Sequence, residues 1–145
     1  MCRKLFLSLS GCLLFASVIS VHAQRDDGPP TRNFAGTWIL YQENNFTVTV
    51  NVRQNGRDIT GTASYNAGRK GIARGTVTGR AFFERNRNGI GDVDHFEIEI
   101  AWHNGVGVYQ ATTPFGKSYL KGQTWPKGNP NGKVGWYTTQ GFSRR

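Results

Sequence analysis

The stretch that decides the fold runs from residue 46 to residue 65 and reads FTVTVNVRQNGRDITGTASY. Apolar and polar residues alternate through both halves, which is typical of half-buried β-strands. Asn55-Gly56 stands between the halves, and this dipeptide favours the positive φ angles of a tight hairpin turn. We therefore predict a β-hairpin that turns at Asn55-Gly56.

The same stretch also predicts a strand register. With Gln54 opposite Arg57, one face of the hairpin carries only apolar residues and glycine, and the other face is polar. Because a one-residue slip would mix the two sets, the pattern indicates which face is buried. The apolar face pairs Val52 with Ile59, Val50 with Gly61, Val48 with Ala63 and Phe46 with Tyr65.

Alternating segments continue on both sides of this hairpin. A second hairpin is predicted over residues 95–113, turning at Asn104-Gly105 with Trp102 opposite Gly107. Further strands are expected at 34–41, 71–83, 118–125 and 133–140. No helical periodicity is sustained. About eight short strands joined by turns predict an all-β fold, a single antiparallel up-and-down β-barrel, with a two-sheet β-sandwich as the alternative.

The N-terminus has the pattern of a secretory signal peptide over residues 1–23. Arg3 and Lys4 precede an apolar run, and small residues at Val21 and Ala23 mark a cleavage site before Gln24. We expect a flexible leader at 24–33, a barrel domain at 34–145, and a secreted or periplasmic protein. Lipidation at Cys12 is the alternative, but the residues after Cys12 are apolar rather than polar.

Composition limits the chemistry of the exported chain. Both cysteines, Cys2 and Cys12, lie in the predicted signal peptide, so no disulfide, thiol nucleophile or cysteine-ligated metal site is expected after cleavage. No other stretch is apolar enough to span a membrane. Loss of Arg3 and Lys4 lowers the formal net charge from +9 to +7.

A basic chain attracts anionic partners such as acidic polysaccharides, phosphate groups or lipid headgroups. Nucleic acid is not expected for an exported protein. The basic residues that are candidates for binding an anionic polymer or surface lie around one loop system: Arg69, Lys70, Arg74, Arg80, Arg85 and Arg87.

Short motifs in a fixed order suggest a family. They are Gly36-Thr37-Trp38, Thr60-Gly61-Thr62, Thr78-Gly79-Arg80, Ala101-Trp102-His103-Asn104 and Gln123-Thr124-Trp125. This set, which spans nearly all of the predicted barrel domain, resembles the avidin and streptavidin family and, more loosely, the lipocalin-like barrels. In the avidin family, tryptophans matching Trp102 and Trp125 line the mouth of a biotin pocket.

The resemblance does not extend to the polar groups that hold biotin. Leu40 stands where the family has an asparagine, Ala63 where it has a tyrosine, and the last strand offers no matching aspartate. A site built on buried hydrogen bonds does not keep its ligand when those groups are lost. The resemblance therefore implies a barrel and an aromatic-lined cavity, but argues against biotin.

The candidate ligand-binding residues are aromatic: Trp102, Tyr109, Trp125 and Trp38. Filling the core of the barrel is the alternative role for such large side chains. We expect a non-enzymatic binding module for a small molecule, glycan or lipid at one barrel end, with no cofactor. The alternatives are an envelope or interaction protein that acts through its basic outer surface, and an enzyme on a lipocalin-like barrel.

Two patterns resemble metal sites. His95, Glu97, Glu99 and His103 alternate along one polar strand face, but no third histidine or cysteine completes a site. The loop from Glu84 to His95 is spaced like an EF-hand, with His95 where calcium needs a glutamate. We therefore predict no metal at either place.

Overall fold

The fold is given by a computed structural model that describes residues 27–84, 93–114 and 119–139. The predicted signal peptide, Cys12, the loop at 85–92, the turn at 115–116 and the tail at 141–145 lie outside the described residues. Within them, no helix is long and apolar enough to cross a membrane. The described ranges contain one 3₁₀ turn, at Gly68–Lys70, and nine strands: β1 (Asp27–Gly28), β2 (Gly36–Gln42), β3 (Thr47–Asn55), β4 (Asp58–Asn66), β5 (Ile72–Glu84), β6 (Val93–Trp102), β7 (Gly105–Pro114), β8 (Lys121–Pro126) and β9 (Val134–Tyr137).

Strands β2 to β9 form one closed, antiparallel, up-and-down barrel. Each strand pairs with the next along the chain, and β9 closes the barrel by pairing back to β2. The predicted barrel is confirmed, and the sandwich alternative is wrong. Closure leaves no free sheet edge among these eight strands. The short β1 adds to the barrel at the end of β5.

The core follows from the alternation of side chains along each strand. Most inward residues of β2 to β7 are buried, those near one end are half-buried, and their outward neighbours are mostly exposed or half-buried. Fully buried side chains of this kind include Leu40, Val48, Val50, Val77, Phe96 and Ile100, each 0% exposed. Removal of this apolar surface from water is the main force that stabilises the barrel.

Both predicted hairpin registers are wrong by two residues. Asn55 pairs with Asp58, so the central residues of the first turn are Gly56 and Arg57. Gly56 has φ 60°, and a positive φ at the first central position is the glycine requirement of a type II′ turn. A shift of two leaves every side chain on its predicted face, because the side-chain period of a strand is also two.

The second hairpin shows the same shift. Trp102 pairs with Gly105 rather than with Gly107, and Ile98 pairs with Tyr109. The central turn residues are therefore His103 and Asn104, and Gly105 begins β7. The predicted inward set is retained here too: Tyr109 is buried, whereas Val108 on the outer face is half-buried.

Residues 28–34, which we call the strap, lie across one end of the barrel. Thr31 donates from its backbone N–H and its hydroxyl to the two carboxylate oxygens of Asp94, at 2.8 and 2.5 Å. Phe34 is fully buried, and its N–H donates to Gln54 Oε1 at 2.7 Å. Because Asp94 is on β6 and Gln54 is on β3, across the barrel, the strap closes this end.

The sequence predicted that residues 24–33 form a flexible leader, but the strap residues within this range are fixed to the barrel. The polar, proline-containing composition of this segment is typical of a mobile tail. Composition could not reveal the partner of Thr31, which is separated from it by 63 positions. Arg32 also reaches Asp94, with 3.4 Å between Nε and Oδ2.

Gly56 should be the glycine on which the first hairpin depends. Replacing it with alanine puts a Cβ on a left-handed residue, so we expect Gly56→Ala to lower the unfolding free energy by about 1–2 kcal/mol. The matched control is Gly132→Ala, since Gly132 has no positive φ and its new Cβ would meet nothing closer than 3.5 Å. Urea denaturation measures both variants. Equal losses in the two would contradict the turn assignment.

Candidate functional site

The barrel end opposite the strap, which we call the mouth, holds an open pocket of about 590 Å³. The connections β2–β3, β4–β5, β6–β7 and β8–β9 meet at this end. A pocket of this size suits a small organic molecule. It is lined by Gln42, Asn44, Phe46, Trp102, Asn104, Gly105, Val106, Gly107, Tyr109, Thr124, Trp125, Pro126, Lys127, Gly132 and Val134.

An aromatic wall forms one side of the pocket. The rings of Phe46 and Tyr65 lie 4.7 Å apart, and Tyr65 meets Trp102 edge to face at 4.9 Å. Gly75 provides space for the Trp102 indole, since a Cβ there would lie 2.8 Å from its ring. Phe46 and Trp102 line the pocket, and Tyr65 packs between them. The wall therefore offers the aromatic surfaces of Phe46 and Trp102 to a ligand.

A small hydrogen-bonded group forms the floor. Gln42 Nε2 donates to the Tyr109 hydroxyl at 3.2 Å, and a side-chain hydrogen bond joins Tyr109 to Thr124 on the next strand. Burial raises the pKa of Tyr109 above its usual 10.0, against the opposing effect of these two hydrogen bonds. The phenol is therefore neutral at physiological pH, and this floor carries dipoles rather than charge.

Trp136 lies below this floor. Its ring meets Tyr109 edge to face at 6.2 Å, and it is 1% exposed. Its Nε1 has no hydrogen-bond partner within the part of the chain that the structure describes. A buried indole N–H without a partner is uncommon, because leaving it unpaired costs about 1–3 kcal/mol.

Of the four aromatic residues predicted to bind a ligand, the structure places three at the pocket. Trp102, Tyr109 and Trp125 line it. Trp38 does not: it is 5% exposed in the core, and its Nε1 donates to the backbone oxygen of Phe34 in the strap at 2.9 Å. Trp38 thus fills the closed half of the barrel, which is the alternative role considered for such residues.

Trp125 reaches the pocket from its rim. Strand alternation turns the neighbouring Thr124 inward, where it is buried, and turns Trp125 outward. The Lys133 ammonium lies 5.1 Å from the centre of the Trp125 ring, a cation–π contact. Trp102 and Tyr109 are therefore the inner aromatic residues, and Trp125 is peripheral.

The structure describes four of the six basic residues predicted to bind an anionic polymer or surface. Arg69 and Lys70 occupy the 3₁₀ turn at the mouth and are exposed. Arg74 is exposed on the outer wall of β5. Arg80 lies farther along the same strand, where its Nε donates to Glu97 at 3.2 Å. Arg85 and Arg87 lie outside the described residues.

The described residues of the two patterns that resemble metal sites contact other side chains. On β6, Glu97 is paired with Arg80, and Glu99 with Lys127 at 2.8 Å. The Nε2 of His95 lies 2.7 Å from Glu84 Oε2. Among the described residues, no group of three or more His, Cys, Asp and Glu side chains is placed to hold a metal ion. The interior of the EF-hand-like loop, residues 85–92, falls outside them.

Sequence reasoning missed the polar lining of the pocket. Gln42 follows the buried Trp38 and Leu40 at intervals of two residues, so extending the alternation of β2 by two residues would have placed its side chain inward. Thr124 was quoted only as part of a motif. The loop residues Asn44, Asn104 and Lys127 carry no comparable signal, because their positions depend on how the mouth connections fold.

We compared the chain with family models, with curated proteins and with solved structures, and found no match in any of the three.

The buried phenol gives the site a pH signature. Because the folded pKa of Tyr109 is raised, its stabilising contribution is present below about pH 10, the unfolded pKa, and is lost as pH rises through the folded pKa. Between pH 9 and 11, wild-type protein should therefore lose more unfolding free energy than Tyr109→Phe. Urea denaturation at both pH values tests this. Tyr137→Phe, altered at an exposed tyrosine, should retain the wild-type loss. Equal losses in wild type and Tyr109→Phe would contradict the burial of the phenol.

Proposed function

We propose that this protein is a binding module that takes a small organic molecule into the mouth of its barrel. The observation that carries the proposal is the combination in one pocket of an aromatic wall, at Trp102, and a hydrogen-bonding floor, at Gln42, Tyr109 and Thr124. Binding pockets for small molecules are typically concave and largely apolar, with a few polar groups that fix orientation.

Closure of the other end supports the proposal. The strap contacts β3 and β6 from across the barrel and occupies the end opposite the pocket. A ligand that enters at the mouth therefore has protein rather than water at its inner end. Exclusion of water strengthens the hydrogen bonds that the floor can offer.

The lining also favours one orientation of the ligand. A flat or apolar portion packs against Trp102 and Phe46, and a hydrogen-bonding group points toward the amide of Gln42 and the hydroxyl of Thr124. Gln42 offers both a donor and an acceptor, and Thr124 can act as either. Binding would rest on stacking and neutral hydrogen bonds, which suits recognition without a chemical step.

The resemblance to the avidin family stays a proposal about ancestry. Leu40 and Ala63, which stand where that family has polar biotin ligands, are buried at 0% and 4% exposure. Neither side chain has a donor or acceptor. Descent from such a barrel is compatible with a different ligand.

The pocket can be filled from within. Gly107 lies between Trp102 and Tyr109, and a Cβ there would be 3.1 Å from the Tyr109 ring. We expect Gly107→Leu to weaken binding of the fluorescent probe N-phenyl-1-naphthylamine at least about tenfold, since the leucine occupies the space beside the aromatic wall. Fluorescence titration measures the dissociation constant.

The control for this variant is Val108→Leu, which adds bulk on the outer face of the same strand. It should bind the probe within about twofold of wild type. Circular dichroism should show that both variants keep the β-sheet spectrum. An unchanged affinity in folded Gly107→Leu would mean that the probe binds elsewhere, and absence of probe binding to wild type would count against the proposed function.

Biotin should not be the ligand. We expect biotin at about 100 μM to leave the melting temperature unchanged, because a ligand raises it only by binding the folded state. Differential scanning fluorimetry measures this shift, with a streptavidin sample as the positive control. A rise of several degrees would overturn our interpretation of Leu40 and Ala63.

A further inference from the structure

We propose that the ligand of the mouth pocket is a small organic anion with a flat, apolar body, such as an aromatic or fused-ring carboxylate, sulfonate or phosphate ester. This inference rests on the proposed function and adds a chemical class to it. It is carried by the excess of basic over acidic side chains among the described residues of the mouth.

Four basic side chains surround the mouth, and we call them the rim cations: Arg69, Lys70, Lys127 and Lys133. Arg69 and Lys70 are exposed in a 3₁₀ turn that contains no acidic residue. Of the four, Lys127 makes an ion pair within the described residues, with Glu99 at 2.8 Å. Among the described residues, no acidic side chain forms an ion pair with the other three.

The 3₁₀ turn presents its two cations in a fixed way. Gly68 and Gly71 flank them with φ angles of 65° and 80°. Backbone hydrogen bonds from Ala67 to Gly71 and from Gly71 to Gly68, at 2.8 and 3.0 Å, close the turn on itself. These bonds place the backbone that carries Arg69 and Lys70 at the mouth end of the barrel, between β4 and β5.

Carboxylates lie mostly toward the strap end. Asp94 is buried there beneath Thr31 and Arg32. Asp58 is in the turn after β3, and Glu84 is at the end of β5 beside His95. Among the described residues of the mouth, Glu43 and Glu99 are the acidic ones, and Glu99 is paired. Counted over the described residues, the mouth is thus net positive.

The pocket itself is uncharged below this rim. Its described lining contains no aspartate or glutamate, and Lys127 at its edge is the one ionised side chain. An anionic group would be costly on the floor, where neither Gln42 nor Thr124 carries a countercharge. The anion therefore stays at the rim, and the flat body enters the pocket together with any neutral hydrogen-bonding group that it carries. A cationic ligand would meet repulsion at the rim and no countercharge inside.

Two fluorescent probes with one skeleton test the inference. 1-Anilinonaphthalene-8-sulfonate carries a sulfonate, and N-phenyl-1-naphthylamine is the same ring system without it. The test variant is Arg69→Glu/Lys70→Glu. The matched control is Arg53→Glu/Arg57→Glu, which makes the same change of charge at exposed arginines toward the strap end. Each protein is titrated with each probe at low and at high salt.

We expect the rim variant to bind the sulfonate probe about tenfold more weakly than wild type at low salt, and the neutral probe within about twofold. The control variant should stay within about twofold of wild type for both probes. Raising the salt should weaken sulfonate binding to wild type and leave neutral-probe binding unchanged, because ions screen exposed charges.

The outcomes separate the inference from the function beneath it. Suppose that wild type binds the neutral probe and that Gly107→Leu binds it more weakly. If the rim variant then binds the sulfonate probe as tightly as wild type does, the anion inference is overturned and the proposed function stands. Equal weakening by the rim and control variants also overturns it, since net charge rather than the mouth would then be responsible. If neither probe binds wild type, both proposals fail together.

Discussion

The buried carboxylate of Asp94 is the interaction on which the closed end of the barrel depends. Thr31 satisfies both of its oxygens, and Arg32 supplies a countercharge. Removing the partners of a buried charge costs roughly 3–5 kcal/mol, so the strap and Asp94 hold each other in place. With the strap held across that end, the pocket at the mouth is placed to hold a ligand.

Much of the fold was predictable because it depends on a pattern with a period of two. The alternation around Val48 and Val50 identified the buried face, and it survived the two-residue error in register. The position of the turn was harder to predict, because a turn at Asn55-Gly56 and a turn at Gly56-Arg57 both place a glycine where φ is positive. The strap was not predictable, because Thr31 is held by a partner far along the chain that composition does not reveal.

The aromatic residues of the candidate site could be predicted from the sequence. Trp102 and Tyr109 are large, inward-facing and close to a turn, which is where barrels open, whereas Trp38 has the same character but lies near the closed end. Neither residue type nor local sequence distinguishes Trp38 from Trp102, because the difference between them depends on which end of the barrel the strap occupies. The alternation of inward and outward residues along β2 and β8 could have placed Gln42 and Thr124 inside the barrel. Asn44 and Lys127 were not, because loop conformation positions them.

The central proposal is that this barrel, with one end held closed through a buried carboxylate, binds a small molecule at the other end. The most direct measurement is native mass spectrometry of the full-length protein and of Gly107→Leu, each purified from the organism that makes it. The account predicts a small molecule bound to wild type, released on denaturation, and missing from the variant. Wild-type protein that carries nothing, or a molecule that the variant retains equally well, would contradict it.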